Sequence, residues 1–209
     1  MSLQGLVVAP PSYPARPING GPLELAPPKP GQWRYEPKYN GWRALVHAPT
    51  GAMFNRHAQP LSITSEFGRA LKRLRDIQLR VDGAAVEWFD CEALDRRHGL
   101  ARATLLVFDL ITGWASEPWH KRKERLAQAL PEHDYGQVPS AEALYGVRAH
   151  DVAALDPQEL YRRLRYLNTR WACPFYEGVV AKRITELYPL QLRSPNQEFV
   201  GWVKHRWAA

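Results

Sequence analysis

The chain has 209 residues, 45% of them hydrophobic, with a formal charge of +7 and a pI near 9.6. That composition excludes a disordered chain, allows a sizeable buried core, and favours polyanionic partners such as nucleic acid or nucleotide phosphates. Cys91 and Cys173 stand far apart with no CxxC between them, which argues against a zinc ribbon or disulfide framework and suits a reducing cytosol. The N-terminal stretch lacks a basic n-region, and no run has the apolar length of a membrane span, so neither a signal peptide nor a membrane protein is expected.

Residues 1–32 hold prolines at 10, 11, 14, 17, 22, 27, 28 and 30. Because proline fixes φ and donates no hydrogen bond, this density excludes helix and interior strand and predicts an extended arm on a body that begins at Trp33. In "EPKYNGWRALVH", Pro37 and Asn40-Gly41 flank Lys38 and predict a stiff loop at the mouth of a strand, where a lysine can be aimed. "RALVHAPTGAMFNR" reads as a hairpin turning at Pro49-Thr50-Gly51. "SEFGRALKRLR" reads as a helix capped by Ser65, with Phe67, Leu71 and Leu74 inward. "LRVDGAAVEWF" and "ATLLVFDLI" read as strands, the second apolar enough to be buried on both faces.

"EPWHKRKERLAQAL" predicts a helix that buries Trp119, Leu126 and Leu130. "DPQELYRRLRYL" predicts another, with Asp156 at the N-cap, Pro157 at N1, and Leu160, Leu164 and Leu167 inward. The chain returns to strands in "EGVVAKR" and "FVGWVKHR". There is no internal repeat and no long linker. The expected class is α+β, mainly antiparallel sheets flanked by helices, with an arm over 1–32 and a single domain over 33–209.

Three further stretches place charge beside Lys38. "YEGVVAKR" sets Glu177 and Lys182 at the two ends of a short apolar strand whose Gly178 permits close backbone approach. On a regular strand those two residues face opposite ways, so Glu177 is expected in the entering turn, with Gly178 as the release. "GWVKHR" puts Trp202, Lys204 and Arg206 on one strand face. "FNRH" puts Arg56 at the far end of the opening hairpin.

In order and spacing this set resembles the nucleotidyltransferase domain of ATP-dependent DNA ligases, a superfamily shared with RNA ligases and capping enzymes. The nucleophile motif of that family, Lys-x-Asp-Gly-x-Arg, stands here as Lys38-Tyr39-Asn40-Gly41-Trp42-Arg43, and its context is most similar to bacterial ligases of the repair type. Phe108-Asp109-Leu110, Glu177 to Lys182 and Trp202 to Arg206 resemble three later family motifs. The resemblance implies an ATP-grasp-like nucleotidyltransferase fold and lysine adenylation, in which Lys38 attacks the α-phosphate of ATP, keeps AMP, and passes it to the 5′-phosphate of a DNA nick.

The resemblance also assigns roles. Lys38, Lys182, Lys204 and Arg43 would be catalytic, the neighbouring cations lowering the pKa of Lys38 and stabilising phosphoryl charge. Glu36 would accept from the adenine amino group, Phe108 and Val180 would sandwich the base, and Tyr39, Arg43, Arg56, Glu177, Lys182, Lys204 and Arg206 would complete the nucleotide site. ATP and Mg²⁺ are the implied cofactors, with Glu177 as a metal ligand. Nicked double-stranded DNA is the implied partner, an OB-fold or other repair protein would act in trans, and the protein would be a cytoplasmic monomer of bacterial, archaeal or phage origin. The alternatives are an RNA ligase and a catalytically impaired nucleic-acid-binding remnant.

Two positions depart from the family: Asn40 replaces an aspartate, and Ala84 stands where a glutamate is usual. Glu87 and Glu92 lie nearby in sequence, but Glu87 is expected on the opposite strand face. The loss of two carboxylates predicts a weakened Mg²⁺ site. The sequence also stops three residues after Arg206, where relatives continue into an OB-fold domain, so the expectation is an isolated catalytic domain or a minimal protein.

Overall fold

A computed structural model describes residues 8–23, 31–77, 80–81, 84–111, 116–151, 155–190, 192 and 194–207. Within the N-terminal arm, Arg16–Asn19 forms a strand, β1. Trp33–Tyr39 (β2), Trp42–His47 (β3) and Ala52–Phe54 (β4) follow. A 3-10 turn over Thr64–Phe67 leads into α1, Gly68–Asp76. Arg80–Val81 (β5) and Ala84–Ala85 (β6) make a small ladder, and β7 spans Trp88–Leu94. After a second 3-10 segment at Arg96–Ala101 come β8, Thr104–Leu110, and α2, Trp119–Ala129. Short strands β9 (Glu132–His133), β10 (Leu144–Val147) and β11 (His150–Asp151) precede α3, Pro157–Trp171. The chain ends with β12, Tyr176–Arg183, and β13, Glu198–Arg206.

Two sheets carry the fold. One runs β1-β13-β12-β2-β11 and the other β4-β3-β7-β8-β10-β9, with β5-β6 apart. The long pairings are antiparallel, while β1 on β13 and β10 on both β8 and β9 are parallel. With three helices packed on these sheets the class is α+β. The chain passes from one sheet to the other at Asn40-Gly41, since β2 belongs to the first and β3 to the second. That two-residue passage sets Lys38 and Arg43 on opposite sheets.

The helices form where the sequence predicts them. In α3, Asp156 caps the N-terminus by accepting from Gln158 N–H at 3.1 Å, Pro157 follows at N1, and Leu160, Leu164 and Leu167 are buried. Burying each such leucine contributes about 2 kcal/mol. Asn168 then clasps the backbone of Tyr176 with two hydrogen bonds, 2.7 and 3.0 Å, which fixes α3 to β12. One core packs the second sheet against α1 and α2 through Val46, Phe67, Leu74, Phe89, Val107 and Leu126. Another packs the first sheet against α3 through Tyr35, Leu160, Leu164 and Val179.

Three local expectations are corrected. Ser65 lies inside the 3-10 turn and caps nothing, because Thr64 and Glu66 N–H already bond the carbonyls of Leu61 and Ile63; α1 starts three residues later without a side-chain cap. "LRVDGAAVEWF" is not one strand: it folds back as β5-β6, and the strand that joins the second sheet begins only at Trp88. Lys38 sits within β2 instead of in a loop. Pro37 is tolerated there because β11 pairs only with Arg34 and Tyr35, so β2 is a sheet edge at the proline. Arg16–Asn19 of the extended arm lies as an edge strand of the first sheet, with Ala15 and Leu23 fully buried.

Candidate active site

A cleft opens between the two sheets, lined among others by Glu36, Lys38, Arg43, Phe108, Lys182 and Trp202. From the first sheet, Glu36 and Lys38 of β2 reach it by the two-residue period of a strand. The neighbouring β12 carries the register shift that the spacing of Glu177 and Lys182 requires. Tyr176 pairs with Tyr39 but Gly178 pairs with Lys38, so Glu177 bulges out of the ladder. Gly178 adopts φ +144°, and a Cβ there would lie 1.9 Å from the His205 carbonyl oxygen, so the bulge needs glycine.

The bulge turns Glu177 onto the Lys38 ammonium in a hydrogen-bonded ion pair, and Arg206 of β13 reaches the same carboxylate oxygen at 3.1 Å. Val180 and Lys182, beyond the bulge, line the cleft. Lys204 stands opposite Val180 in the register. Its pKa is lowered by burial, then by Arg206 and Arg16, with a smaller contribution from Lys38.

The second sheet supplies the other wall. Arg43 Nε lies 2.8 Å from Asp90 Oδ1, and the Tyr188 hydroxyl donates to Asp90 Oδ2 at 2.6 Å. Burial disfavours the Arg43 charge, but Asp90 outweighs it and holds the guanidinium firmly protonated. That guanidinium lies 5.0 Å from the Phe108 ring centroid and 5.6 Å from that of Trp202. Glu92, opposite Arg43 on β7, accepts from Gly41 N–H at 2.8 Å and faces the cleft. Burial pushes its carboxyl up, partly offset by Lys38, Gly41 and Arg43.

At the closed end, the buried Glu36 meets two lysines: Lys123 Nζ at 2.6 Å from Oε1 and Lys182 Nζ at 2.7 Å from Oε2. Burial lowers the pKa of Lys182 against the pull of Glu36 and Asp109. Its ammonium stands 4.2 Å from the Trp202 centroid and 4.8 Å from that of Phe108.

The cleft thus brings together Glu36, Lys38, Tyr39, Arg43, Phe108, Val180 and Lys182, while Glu177 and Arg206 join through Lys38. Arg56 is placed elsewhere, in the exposed loop after β4, where its side chain bonds His57. The nearest charged partner of Lys38 is a carboxylate, not the expected crowd of cations.

Sequence reasoning missed Asp90 and Lys123, and it noted Glu92 without giving it a role. Asp90 and Glu92 sit two apart in "FDCE", a polar alternation inside a strand that was not recognised. Lys123 lies in a basic run that reads as a solvated face, yet Trp119, Arg122, Lys123, Leu126 and Leu130 share one helical stripe and all are buried.

Among the described residues no group of three or more His, Cys, Asp or Glu could hold a metal ion. Asp90 is taken by Arg43 and Tyr188, Glu36 by two lysines, and Glu177 by Lys38 and Arg206. Glu92 faces the cleft with a backbone N–H as its hydrogen-bond donor. That set suits a Mg²⁺ that arrives on a triphosphate and gains one protein carboxylate, since Mg²⁺ keeps waters and phosphate oxygens as ligands.

The fold is that of ligase nucleotidyltransferase domains. The ligase domain of M. tuberculosis LigD resembles the chain with TM-score 0.56 and 20% identity, over 93% of this chain and 59% of that one. A mycobacterial DNA ligase D complexed with ATP and MES gives TM-score 0.57 and 22% identity, over 93% and 60%. An archaeal ATP-dependent RNA ligase gives TM-score 0.52 and 16% identity, over 93% and 48%. The chain therefore spans about three fifths of the length of the two ligase D structures. No protein-family model matches it, and no curated protein matches it by sequence.

Proposed function

We propose that this chain is the adenylating domain of an ATP-dependent polynucleotide ligase that acts on nicked DNA, with Lys38 as the nucleophile. The observation that supports this most is the pairing of Lys38 with Glu177 at a cleft whose walls carry Arg43, Lys182 and Phe108. An amine must shed a proton to attack phosphorus, and Glu177 is in contact to take it. As the N–P bond forms, the bond from the α-phosphorus to pyrophosphate breaks and AMP stays on Lys38 as a phosphoramide.

Lys182 and Arg43 stabilise the charge on the phosphoryl oxygens, in a cleft shielded from water where such interactions are strong. Phe108 and Val180 offer two faces for the base, and Glu36 an acceptor for the amino group of adenine. In the second step the 5′-phosphate of the nick attacks the same phosphorus and breaks the N–P bond, and Lys38 recovers its proton. Attack of the 3′-hydroxyl on the adenylated end then releases AMP.

The test is intact mass after incubation with ATP and Mg²⁺. One added AMP, mapped to Lys38 and lost in Lys38→Ala, is expected; an adduct on another lysine refutes the site. The similarity to an RNA ligase makes the acceptor a separate question, decided by offering the adenylated protein nicked duplex DNA and nicked RNA in parallel. Sealing of RNA alone would replace the DNA reading.

A further inference from the structure

We infer that Lys123 is a positioning residue for base selection: it holds Glu36 as a hydrogen-bond acceptor aimed at the base while Lys182 turns to phosphate. This rests on the adenylating role proposed above. Each carboxylate oxygen of Glu36 has an ammonium beside it, Lys123 on Oε1 and Lys182 on Oε2. Each oxygen keeps a second lone pair, so the carboxylate can accept a nucleobase amine as well, provided that it is held facing the cleft.

The two lysines are not equivalent. Lys182 lines the cleft and is 2% exposed, yet its ammonium makes no well-aligned hydrogen bond to Glu36. It hangs over Phe108 and Trp202, in the slot a base would fill, with donors to offer an incoming anion. Lys123 comes from behind, on α2. It makes a proper hydrogen bond to Oε1, stands 5.9 Å from the Trp119 ring centroid, and faces an outer depression with His120 and Ile184 instead of the cleft. Phosphate therefore draws Lys182, and Lys123 stays.

What remains is a buried carboxylate with a single counter-charge. Without Lys123 the carboxylate loses the donor that fixes Oε1 and is free to turn from the base. The difference decides the base. A fixed carboxylate accepts from the amino group of adenine and repels the keto oxygen of guanine or hypoxanthine, whereas a loosened one imposes neither preference.

The experiment measures initial rates of lysyl-nucleotide formation with ATP, GTP and ITP, for wild type, Lys123→Met, Lys123→Arg, Glu36→Gln and the Glu36→Gln/Lys123→Met double variant. Lys123→Met should reduce the preference for ATP over ITP by roughly tenfold or more, about the effect of one buried polar group left unpaired. Lys123→Arg should restore it. The double variant should discriminate like Glu36→Gln alone, because Lys123 acts on the base only through the Glu36 carboxylate. Should Lys123→Met fail to fold, Lys123→Gln, one atom shorter and so unable to hold Oε1 at hydrogen-bond distance, is read in its place. A folded Lys123→Met or Lys123→Gln protein with wild-type preference overturns the inference and leaves the adenylating role intact. A wild type that forms no adduct with any of the three nucleotides overturns both.

Discussion

Two buried charge sites, carried by consecutive residues of α2, are built to opposite specifications. Asp109 of β8 and Arg122 of α2 form a closed pair: Nε to Oδ1 at 2.6 Å, Nη2 to Oδ2 at 3.0 Å, and Nη1 to the carbonyl of Glu186 at 3.2 Å. Leu110 N–H fills a further lone pair of Asp109 at 2.9 Å. One negative charge meets one positive charge, and their polar atoms are widely satisfied. The next residue of α2, Lys123, belongs to an open site in which a single carboxylate, Glu36, faces two ammonium groups and one of those is poorly aligned. The first site fastens α2 to the second sheet. The second carries excess positive charge and unused donors into a cleft, which is what an anionic ligand needs. Burial of charge alone does not mark function; incomplete compensation does.

The largest expected effect tests that contrast. Asp109→Ala strands the Arg122 guanidinium in the core and should cost about 3–5 kcal/mol. Lys182→Met at the open site leaves Glu36 with Lys123 and should change stability by less than about 1 kcal/mol, although it removes a group proposed for catalysis. Urea unfolding of both variants decides the matter. Equal losses would mean that Lys182 is as structural as Asp109 and that the open site is not poised for a ligand.

A neutral buried polar group sharpens the comparison. His133 is 4% exposed, packs against Tyr39, and has Nδ1 2.8 Å from the Tyr39 hydroxyl. Burial lowers its pKa from 6.5 to about 4, against the opposing influence of Asp134 and Gln137. The folded state thus resists a proton that the unfolded state accepts. Above pH 6.5 the histidine is neutral in both states and carries no penalty; as pH falls from 6.5 towards 4 the unfolded state alone gains the proton, and stability drops. The loss approaches about 3 kcal/mol for the full shift. Denaturant midpoints between pH 7 and pH 4 should show this slope, and His133→Phe should flatten it. An unchanged slope would place the pH sensitivity in other groups.

The sequence disclosed most of what regular patterning can disclose. The leucine stripe of α3 and its Asp156-Pro157 start were legible because cap and periodicity agree. The parity conflict between Glu177 and Lys182 was legible too, with Gly178 as its release, but Glu177 leaves the ladder by a bulge inside β12 and not in the entering turn that was expected. Strands β9 to β11 were not: each has two to four residues and is held by neighbours distant in sequence. The roles of Asp90 and Glu92 escaped because carboxylates inside a strand argue against burial, and only their pairing with the Arg43 region explains them. Lys123 escaped because a helix carrying Lys121, Arg122, Lys123 and Arg125 looks solvated. Only the three-four spacing from Trp119 to Leu130 shows that two of those cations lie on the buried stripe.

The smallest expected effect concerns Asn40, where a lost negative charge was expected to weaken metal binding. Asn40 lies beyond the cleft lining, with its backbone N–H on the Phe175 carbonyl at 2.8 Å and its carbonyl 2.7 Å from His98 Nε2. Its side-chain amide donates to the Pro174 carbonyl at 3.0 Å. An ionised aspartate has no proton for that bond and would set two acceptors against each other. In this partly exposed turn the cost should be about 1 kcal/mol. Asn40→Asp should therefore lower the unfolding free energy slightly, while the rate of lysyl-AMP formation at saturating Mg²⁺ and its Mg²⁺ dependence stay close to wild type. Of the two carboxylates lining the cleft, Glu36 is taken by two lysines and Glu92 is not, so Glu92→Gln should shift the Mg²⁺ requirement and Asn40→Asp should not. If Asn40→Asp instead bound Mg²⁺ more tightly and charged much faster, the turn would have to swing its side chain into the cleft. The hydrogen bonds that Asn40 donates to the Pro174 and Phe175 carbonyls, and the one it shares with His98, would then have to break or rearrange.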